Sequence, residues 1–202
     1  MNKQDFILIL DNGHGDPPIT GGKCSPDRTL REYDWTRIMT DLIARKARAR
    51  GIRTEIIVPE TTDVPLVTRS ARANAIARKH GLKKCLFISV HINAAGADGK
   101  WHDASGFSAW VAQNASQHSK TFAAIIDAEM RARGLGGNRA RNPLGYWTAN
   151  FAVIRRTACP AVLTENLFQD NRKEAKYLLT PQGQETIAEA HVAAVEKYIA
   201  RL

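Results

Sequence analysis

The chain has 202 residues, of which 44% are hydrophobic and 24% are charged, and it contains no internal repeat or low-complexity tract. This length and composition suffice for one compact domain with its own core, which excludes a disordered protein and a small disulfide scaffold. The 29 Lys and Arg residues outnumber the 20 Asp and Glu residues and give a formal charge of +9, which favours polyanionic surroundings.

Apolar runs alternate with helical patterns along the chain. We predict strands near residues 6–10, 54–58, 85–90, 106–111, 151–154 and 161–164. We predict helices at 32–50, 66–80 and 116–133, and a last helix that starts at Thr180 and Pro181. The alternation indicates an α/β fold: a single domain over residues 1–202, with a mostly parallel or mixed sheet of about six strands and helices on both faces.

Two histidines are placed where such a sheet binds ligands. His14 directly follows the first apolar run, and His91 directly follows the third. Because ligands of α/β sheets collect beyond the carboxyl ends of the strands, we expect both imidazoles at one rim. Glu32, in the first turn of the first predicted helix, is the candidate third ligand of a catalytic zinc site with one open position. Two buried, hydrogen-bonded histidines without a metal are the structural alternative.

A second acid ends another apolar run. Glu165 follows residues 160–164 and is therefore expected at the same rim. A carboxylate near the metal but not bound to it could accept a proton from a water molecule that the metal has made acidic.

These residues resemble the zinc-dependent N-acetylmuramoyl-L-alanine amidases of family 3. The resemblance lies in four ordered motifs: Gly13-His14-Gly15, Glu32, Ser89-Val90-His91-Ile92-Asn93 and Glu165-Asn166-Leu167-Phe168-Gln169-Asp170-Asn171. It implies that His14, Glu32 and His91 hold zinc and that Glu165 is the catalytic acid/base. The implied reaction is hydrolysis of the amide between N-acetylmuramic acid and L-alanine in peptidoglycan. Family members usually have proline at the position of Asn12 and glycine at that of Leu167, so the shape of the groove is expected to differ.

Three further residues are candidate substrate contacts: Asn93, Trp147 and Arg155. Trp147 belongs to a loop-like segment, residues 135–150, that we interpret as an active-site loop. Arg155 could steady the carbonyl oxygen as it becomes negative, although a structural ion pair is an equal alternative. The remaining histidines are expected on the surface or in packing roles: His80, His102, His118 and His191.

The three cysteines are odd in number and show no paired spacing, so free thiols are expected. Cys85 and Cys159 border apolar strands and are interpreted as small core residues. Cys24 lies between His14 and Glu32, either as a plain loop thiol or as a residue that ligates or inhibits the metal.

The amino terminus bears on how the protein reaches the cell wall. The amino-terminal apolar run is too short for a signal peptide or a membrane span. We therefore expect a protein that is cytoplasmic until released, such as a phage or prophage lysin acting on the cell wall; a chain trimmed of its export leader is the alternative. We expect peptidoglycan as the partner, no specific nucleic acid and a monomer. A carboxypeptidase, a deacetylase or a non-catalytic peptidoglycan-binding module are the alternative functions.

Overall fold

The computed structural model describes residues 1–16, 23–138 and 142–202. Its strands are β1 (Ile7–Asn12), β2 (Arg53–Ile56), β3 (Cys85–Asn93), β4 (Ser108–Val111), β5 (Trp147–Thr148) and β6 (Ala161–Phe168). Its α-helices are α1 (Glu32–Ala49), α2 (Leu66–His80), α3 (Gln117–Ala132), α4 (Ala152–Arg155), α5 (Arg172–Leu178) and α6 (Pro181–Ile199). The predicted α/β class is confirmed.

The strands form one mixed sheet in the order β2-β1-β3-β6-β4-β5. The four strands β2, β1, β3 and β6 are parallel, whereas β4 runs antiparallel to β6 and parallel to β5. The carboxyl ends of β1, β3 and β6 therefore meet at one edge of the sheet. This edge is the rim predicted to carry the site.

Helices cover both faces because successive strand residues point to opposite sides. In β1, Leu8 and Leu10 belong to a core shared with α1, α3 and α6. Ile7 and Ile9 belong to a second core, shared with α2 and α4. The near-continuous apolar sequence of β1 follows from this two-sided burial.

Most of the predicted elements form, and two of the predicted helices begin at side-chain caps. The side chains of Ser116 and Thr180 cap α3 and α6, and Pro181 occupies the first turn of α6. No helix in the described ranges combines the length and the apolar character needed to cross a bilayer.

The predicted strand at residues 151–154 is wrong: residues 152–155 form the short helix α4. An apolar run of this length does not distinguish a strand from a buried helix. Val153 and Ile154 bury their side chains in the core that α4 shares with α2, and this packing decides the outcome.

The sequence analysis also missed two short elements. One is β5, which covers β4, so that β4 is not an edge strand. The other is α5, whose N-cap Asn171 accepts hydrogen bonds from the backbone of Lys173 and Glu174. Asn171 followed three residues later by Glu174 resembles a capping box, a signal that could have predicted this helix. Of the predicted active-site loop, residues 139–141 lie outside the described residues.

Candidate metal centre

Three side chains from distant parts of the chain converge at the sheet rim. His14 follows β1, His91 lies near the carboxyl end of β3, and Glu32 is the first residue of α1. Their potential ligand atoms all lie within 4.8 Å of one another. The structure therefore contains a candidate metal-binding triad made of the three residues predicted as ligands. Among the described residues, Cys24 does not belong to this triad.

Glu32 is the most enclosed member of the triad, with 1% of its surface exposed. Its Oε1 atom accepts a hydrogen bond from the backbone N–H of Ile92 at 2.9 Å and lies 3.1 Å from His91 Nδ1. Its Oε2 atom is buried, has no hydrogen-bond partner within the described residues, and lies 3.3 Å from His14 Nε2. Burial opposes ionisation of Glu32, but the adjacent imidazoles of His14 and His91 outweigh burial and hold the Glu32 pKa below its usual range.

A buried hydroxyl determines which nitrogen of His91 carries its proton. Ser89 Oγ lies 2.5 Å from Asp11 Oδ2 and 3.1 Å from His91 Nε2. A carboxylate can only accept, so the single hydroxyl proton of Ser89 is donated to Asp11. Ser89 then accepts from His91 Nε2, which leaves the Nδ1 lone pair directed at Glu32. Two acceptor atoms 3.1 Å apart need a positive charge between them, either a second imidazole proton or a metal ion.

The guanidinium of Arg69 binds the Asp11 side chain and the backbone at the end of β1. Arg69 is 1% exposed and donates to Asp11 Oδ1 at 2.8 Å, to the Asn12 carbonyl at 2.6 Å and to the His14 carbonyl at 2.9 Å. These bonds fix the end of β1. His14 has a φ of 62°, a left-handed conformation that a residue with a Cβ adopts at a cost of about 1 kcal/mol.

Gly13 allows the two imidazoles to approach each other. A Cβ atom at Gly13 would lie 2.4 Å from His91 Cε1, closer than side-chain atoms can approach. The ring centroids of His14 and His91 are 5.0 Å apart. Any larger residue at position 13 would displace His91 from the triad.

Glu165 lies on the strand beside His91. The two residues are direct partners in the β3–β6 pairing, so their side chains point to the same face of the sheet. On the other side of β6, Glu165 is paired with Ser108 of β4. The half-buried carboxylate therefore belongs to the triad's neighbourhood but is not a member of it.

The structure places the three candidate substrate contacts on different elements of the fold. Asn93 ends β3, and its Oδ1 atom accepts from the backbone of Ala94 at 2.9 Å. Trp147 lies on β5, and its ring centroid is 6.0 Å from that of Trp110 on β4. Trp110 is the pairing partner of Leu163 on β6. Arg155 ends α4 and lines a cavity of about 190 Å³ with Ala161, at the amino end of β6 and thus opposite the triad.

The two departures from the family pattern have structural explanations. Leu167 has a φ of 65°, the conformation that glycine adopts most easily, and its buried side chain contributes to the α1–α3–α6 core. The Leu167 side chain is therefore part of the hydrophobic core. Asn12 is also buried, and its amide donates to the Val58 carbonyl at 3.2 Å.

Asp11, Ser89 and Arg69 form a polar group that was not predicted from the sequence. A signal for it was available, because Asp11 and Ser89 interrupt two apolar strands. Register then makes them direct neighbours in the β1–β3 pairing. Buried polar side chains inside two-sided strands need hydrogen-bond partners, and here Ser89 donates to Asp11.

Comparison with known proteins gives consistent results. The family model described as N-acetylmuramoyl-L-alanine amidase matches residues 8–197. The endolysin of Bacillus phage SPP1 is 29% identical over 199 residues, covering 96% of this chain and 66% of the endolysin. The sporulation-specific N-acetylmuramoyl-L-alanine amidase of Bacillus subtilis is 28% identical over 192 residues, covering 94% of this chain and 67% of that protein.

Solved structures share the fold. The crystal structure of the N-acetylmuramyl-L-alanine amidase Ami1 from Mycobacterium smegmatis superposes with a TM-score of 0.82 at 18% identity and covers 100% of both chains. The chain thus spans a whole domain of this architecture but about two thirds of the length of the two sequence relatives.

Proposed function

The chain belongs to the N-acetylmuramoyl-L-alanine amidase family, and on this premise we propose that it hydrolyses the amide between N-acetylmuramic acid and L-alanine in peptidoglycan. The observation that carries the proposal is the convergence of His14, Glu32 and His91 within 4.8 Å, beside Glu165 on the next strand. A metal triad flanked by a carboxylate that is not a ligand is the arrangement that metal-assisted amide hydrolysis requires.

We propose zinc as the metal because the donor set fits it. Two imidazoles and one carboxylate form a common catalytic zinc site, with a fourth position left open. Ligands at about 2.0–2.1 Å in tetrahedral geometry lie roughly 3.4 Å apart. His14 Nε2 lies 3.3 Å from Glu32 Oε2 and His91 Nδ1 lies 3.1 Å from Glu32 Oε1, so each imidazole is about this far from one of the two carboxylate oxygens. The buried Glu32 Oε2 atom, which lacks a hydrogen bond, would gain its missing partner.

The positions of the triad and of Glu165 at the sheet rim indicate a role for each side chain. When bound, zinc supplies Lewis-acid polarisation of the scissile carbonyl and makes water more acidic. Glu165 would accept the proton of the attacking water and return it to the nitrogen of the departing L-alanine. His14, Glu32 and His91 would keep the metal fixed while the amide changes geometry.

We propose residues 1–202 as the catalytic domain of this activity, acting on the cell wall. The similarity to a phage endolysin supports the lysin hypothesis, in which the protein stays in the cytoplasm until it is released. Fractionation of producing cells before and after membrane disruption tests this hypothesis, since protein found on the wall of intact cells would contradict it.

The metal and acid/base assignments are tested by two variants that separate binding from turnover. We expect Glu165→Ala to retain about one zinc per chain and to lose at least about a hundredfold in kcat, since general acid–base catalysis contributes about 10²–10⁴. His91→Ala should lose both zinc and turnover. Zinc is measured by elemental analysis and hydrolysis by mass spectrometry of digested peptidoglycan.

The products distinguish the alternative functions. The proposal requires new L-alanine amino termini, abolished by a chelator and restored by zinc. Release of a free carboxyl-terminal amino acid would indicate a carboxypeptidase, and release of acetate a deacetylase. Wall binding without any new amino group would indicate a binding module, and undiminished turnover of Glu165→Ala would refute the acid/base assignment.

A further inference from the structure

A cavity of about 630 Å³ is lined by three loops. The loops precede α1, follow β3 and follow β6. Two of them continue directly from ligand-bearing segments: the Lys23 carbonyl accepts from the backbone N–H of Glu32 at 3.0 Å, and Ala94 lies three residues beyond His91. Ligand pockets typically enclose about 300–1,000 Å³, so this volume fits a segment of one or two amino-acid residues.

The lining of this cavity is strongly basic. Its described walls include four cationic side chains and a single carboxylate: Lys23, Arg28, Arg31, Lys100 and Asp170. Arg31 is already paired, with Asp16 at 2.6 Å and Asp34 at 3.6 Å. Lys23, Arg28 and Lys100 form no ion pair with any described residue, and residues 17–22 contain no acidic residue.

The nearby acids are engaged elsewhere. Asp27 accepts from Ser25 Oγ at 2.7 Å and from Thr29, within its own turn. Asp98 pairs with His102 at 2.9 Å. Neither Asp27 nor Asp98 forms an ion pair with Lys23, Arg28 or Lys100.

Asp170, the carboxylate in the lining, has a structural role. It is 5% exposed, and its Oδ2 atom accepts from the backbone of Ala95 at 2.8 Å and of Gly96 at 3.0 Å. The carboxylate thereby fixes the loop after β3. The three unpaired cations outnumber it, so the net charge of the lining is positive.

We propose that this cavity binds a free carboxylate of the peptidoglycan stem peptide, on the peptide side of the scissile amide. This inference rests on the proposed function, because the stem peptide leads away from the amide that the triad would hold. Carboxylates are its anionic groups, and guanidinium and ammonium groups bind them through charge-assisted hydrogen bonds. The cavity thus selects stem peptides whose carboxyl groups are free over those in which they are amidated.

The test measures binding separately from turnover. The zinc-loaded Glu165→Gln variant is titrated calorimetrically with N-acetylmuramoyl-L-alanyl-D-glutamate, which has two free carboxylates, and with its diamide. We expect the acid to bind about tenfold tighter, the effect of one charge-assisted contact. Adding Arg28→Gln and Lys100→Gln should reduce the preference to less than about twofold.

A matched control removes the same charge elsewhere. Lys83 and Lys84 are exposed and precede β3, at the end of the sheet opposite the cavity. Lys83→Gln/Lys84→Gln should retain the full preference for the acid. All four substituted side chains in the two double variants are exposed, and thermal unfolding verifies that each protein is folded.

Each outcome decides the proposal. The proposal is overturned if Glu165→Gln shows no binding preference for the acid over the diamide. It is also overturned if this preference persists after Arg28→Gln and Lys100→Gln are added. Inorganic phosphate that displaces the acid at equal concentration would identify a general anion site and refute the stem-peptide assignment. Absence of hydrolysis by the unmodified enzyme, with the binding preference intact, would instead refute the proposed function alone.

Discussion

The protonation of the two ring nitrogens of His91 determines which of them is free to bind a metal ion. His91 has two ring nitrogens, and its use as a ligand depends on which one is protonated. Asp11 and Ser89 decide this, because the hydroxyl proton is committed to the carboxylate. The pair lies behind His91, outside the triad, so it acts as a positioning group for the imidazole.

Removal of the Ser89 hydroxyl should therefore weaken metal binding without unfolding the protein. We expect Ser89→Ala to raise the zinc dissociation constant by about 10–100-fold, the usual effect of losing a group that orients a ligand. The measurement is competition with a chromophoric chelator at constant pH. Ser89→Thr, which keeps the hydroxyl, is the control and should bind zinc more tightly than Ser89→Ala.

A merely structural role of Ser89 predicts a different result. In that case Ser89→Ala would lower the unfolding temperature of the metal-free protein and leave the zinc dissociation constant unchanged. Zinc affinity equal to that of the unmodified protein would show that the hydroxyl does not orient His91.

Among the elements, α5 is tied to the sheet by one half-buried carboxylate. Glu174 accepts from the backbone of Gly106 and of Phe168, each at 2.8 Å, and so joins the end of β6 to the loop before β4. Burial raises the pKa of Glu174 to about 7, against the lowering effect of the two backbone bonds. The folded protein therefore keeps this proton to a higher pH than the unfolded chain does.

The pKa of Glu174 predicts a stability that falls with rising pH. Between its ordinary value of 4.5 and about 7, the folded state binds more protons than the unfolded state, so the contribution of Glu174 is lost across this range. We expect the stability advantage of the unmodified protein over Glu174→Gln to be larger at pH 5 than at pH 8. Urea unfolding at both pH values measures it.

The control for this experiment is Glu55→Gln, which removes a carboxylate from an exposed position in β2. The difference in free energy of unfolding between the unmodified protein and Glu55→Gln should be the same at pH 5 and pH 8. At pH 8, Glu174→Gln should still cost about 1–3 kcal/mol, because its amide leaves one backbone N–H without an acceptor. An advantage over Glu174→Gln that does not change with pH would contradict the assignment.

At the scale of the whole molecule, a buried histidine links the last helix to the sheet. His191 of α6 is fully buried, with Nδ1 2.9 Å from the Ile187 carbonyl and Nε2 3.3 Å from Thr164 Oγ1 on β6. Burial lowers the pKa of His191 to about 4, against the raising effect of its backbone hydrogen bond. Protonation therefore favours the unfolded chain.

His191 should make the fold sensitive to acid. Between pH 6.5 and about 4 the unfolded chain binds the extra proton, so stability falls as the pH falls, by up to about 3 kcal/mol. We expect His191→Leu to lose this dependence whatever its absolute stability. His80→Leu, at the partly exposed end of α2, is the control and should retain it.

These two buried groups act in opposite directions over the same pH range. From pH 4.5 to 6.5, rising pH removes the contribution of Glu174 and restores that of His191. Glu174→Gln should therefore be more acid-sensitive than the unmodified protein, and His191→Leu should be stabilised by acid. Parallel pH profiles for all three proteins would refute both assignments.

The sequence alone determined the α/β class, most helices and strands, and the rim on which His14 and His91 lie. These features depend on local patterns, because side-chain periodicity and capping residues act within a few positions of the chain. The same local reasoning failed at residues 151–154, where four apolar residues fit either a strand or a helix. Packing against α2 made the choice.

Only the tertiary structure decided which polar groups face one another. The sheet order places Asp11 beside Ser89 and His91 beside Glu165, although each pair is separated by more than 70 residues. The basic cavity likewise combines three loops from separate parts of the chain. Strand order and register set these distances, and both depend on the packing of the whole core, which no segment encodes by itself.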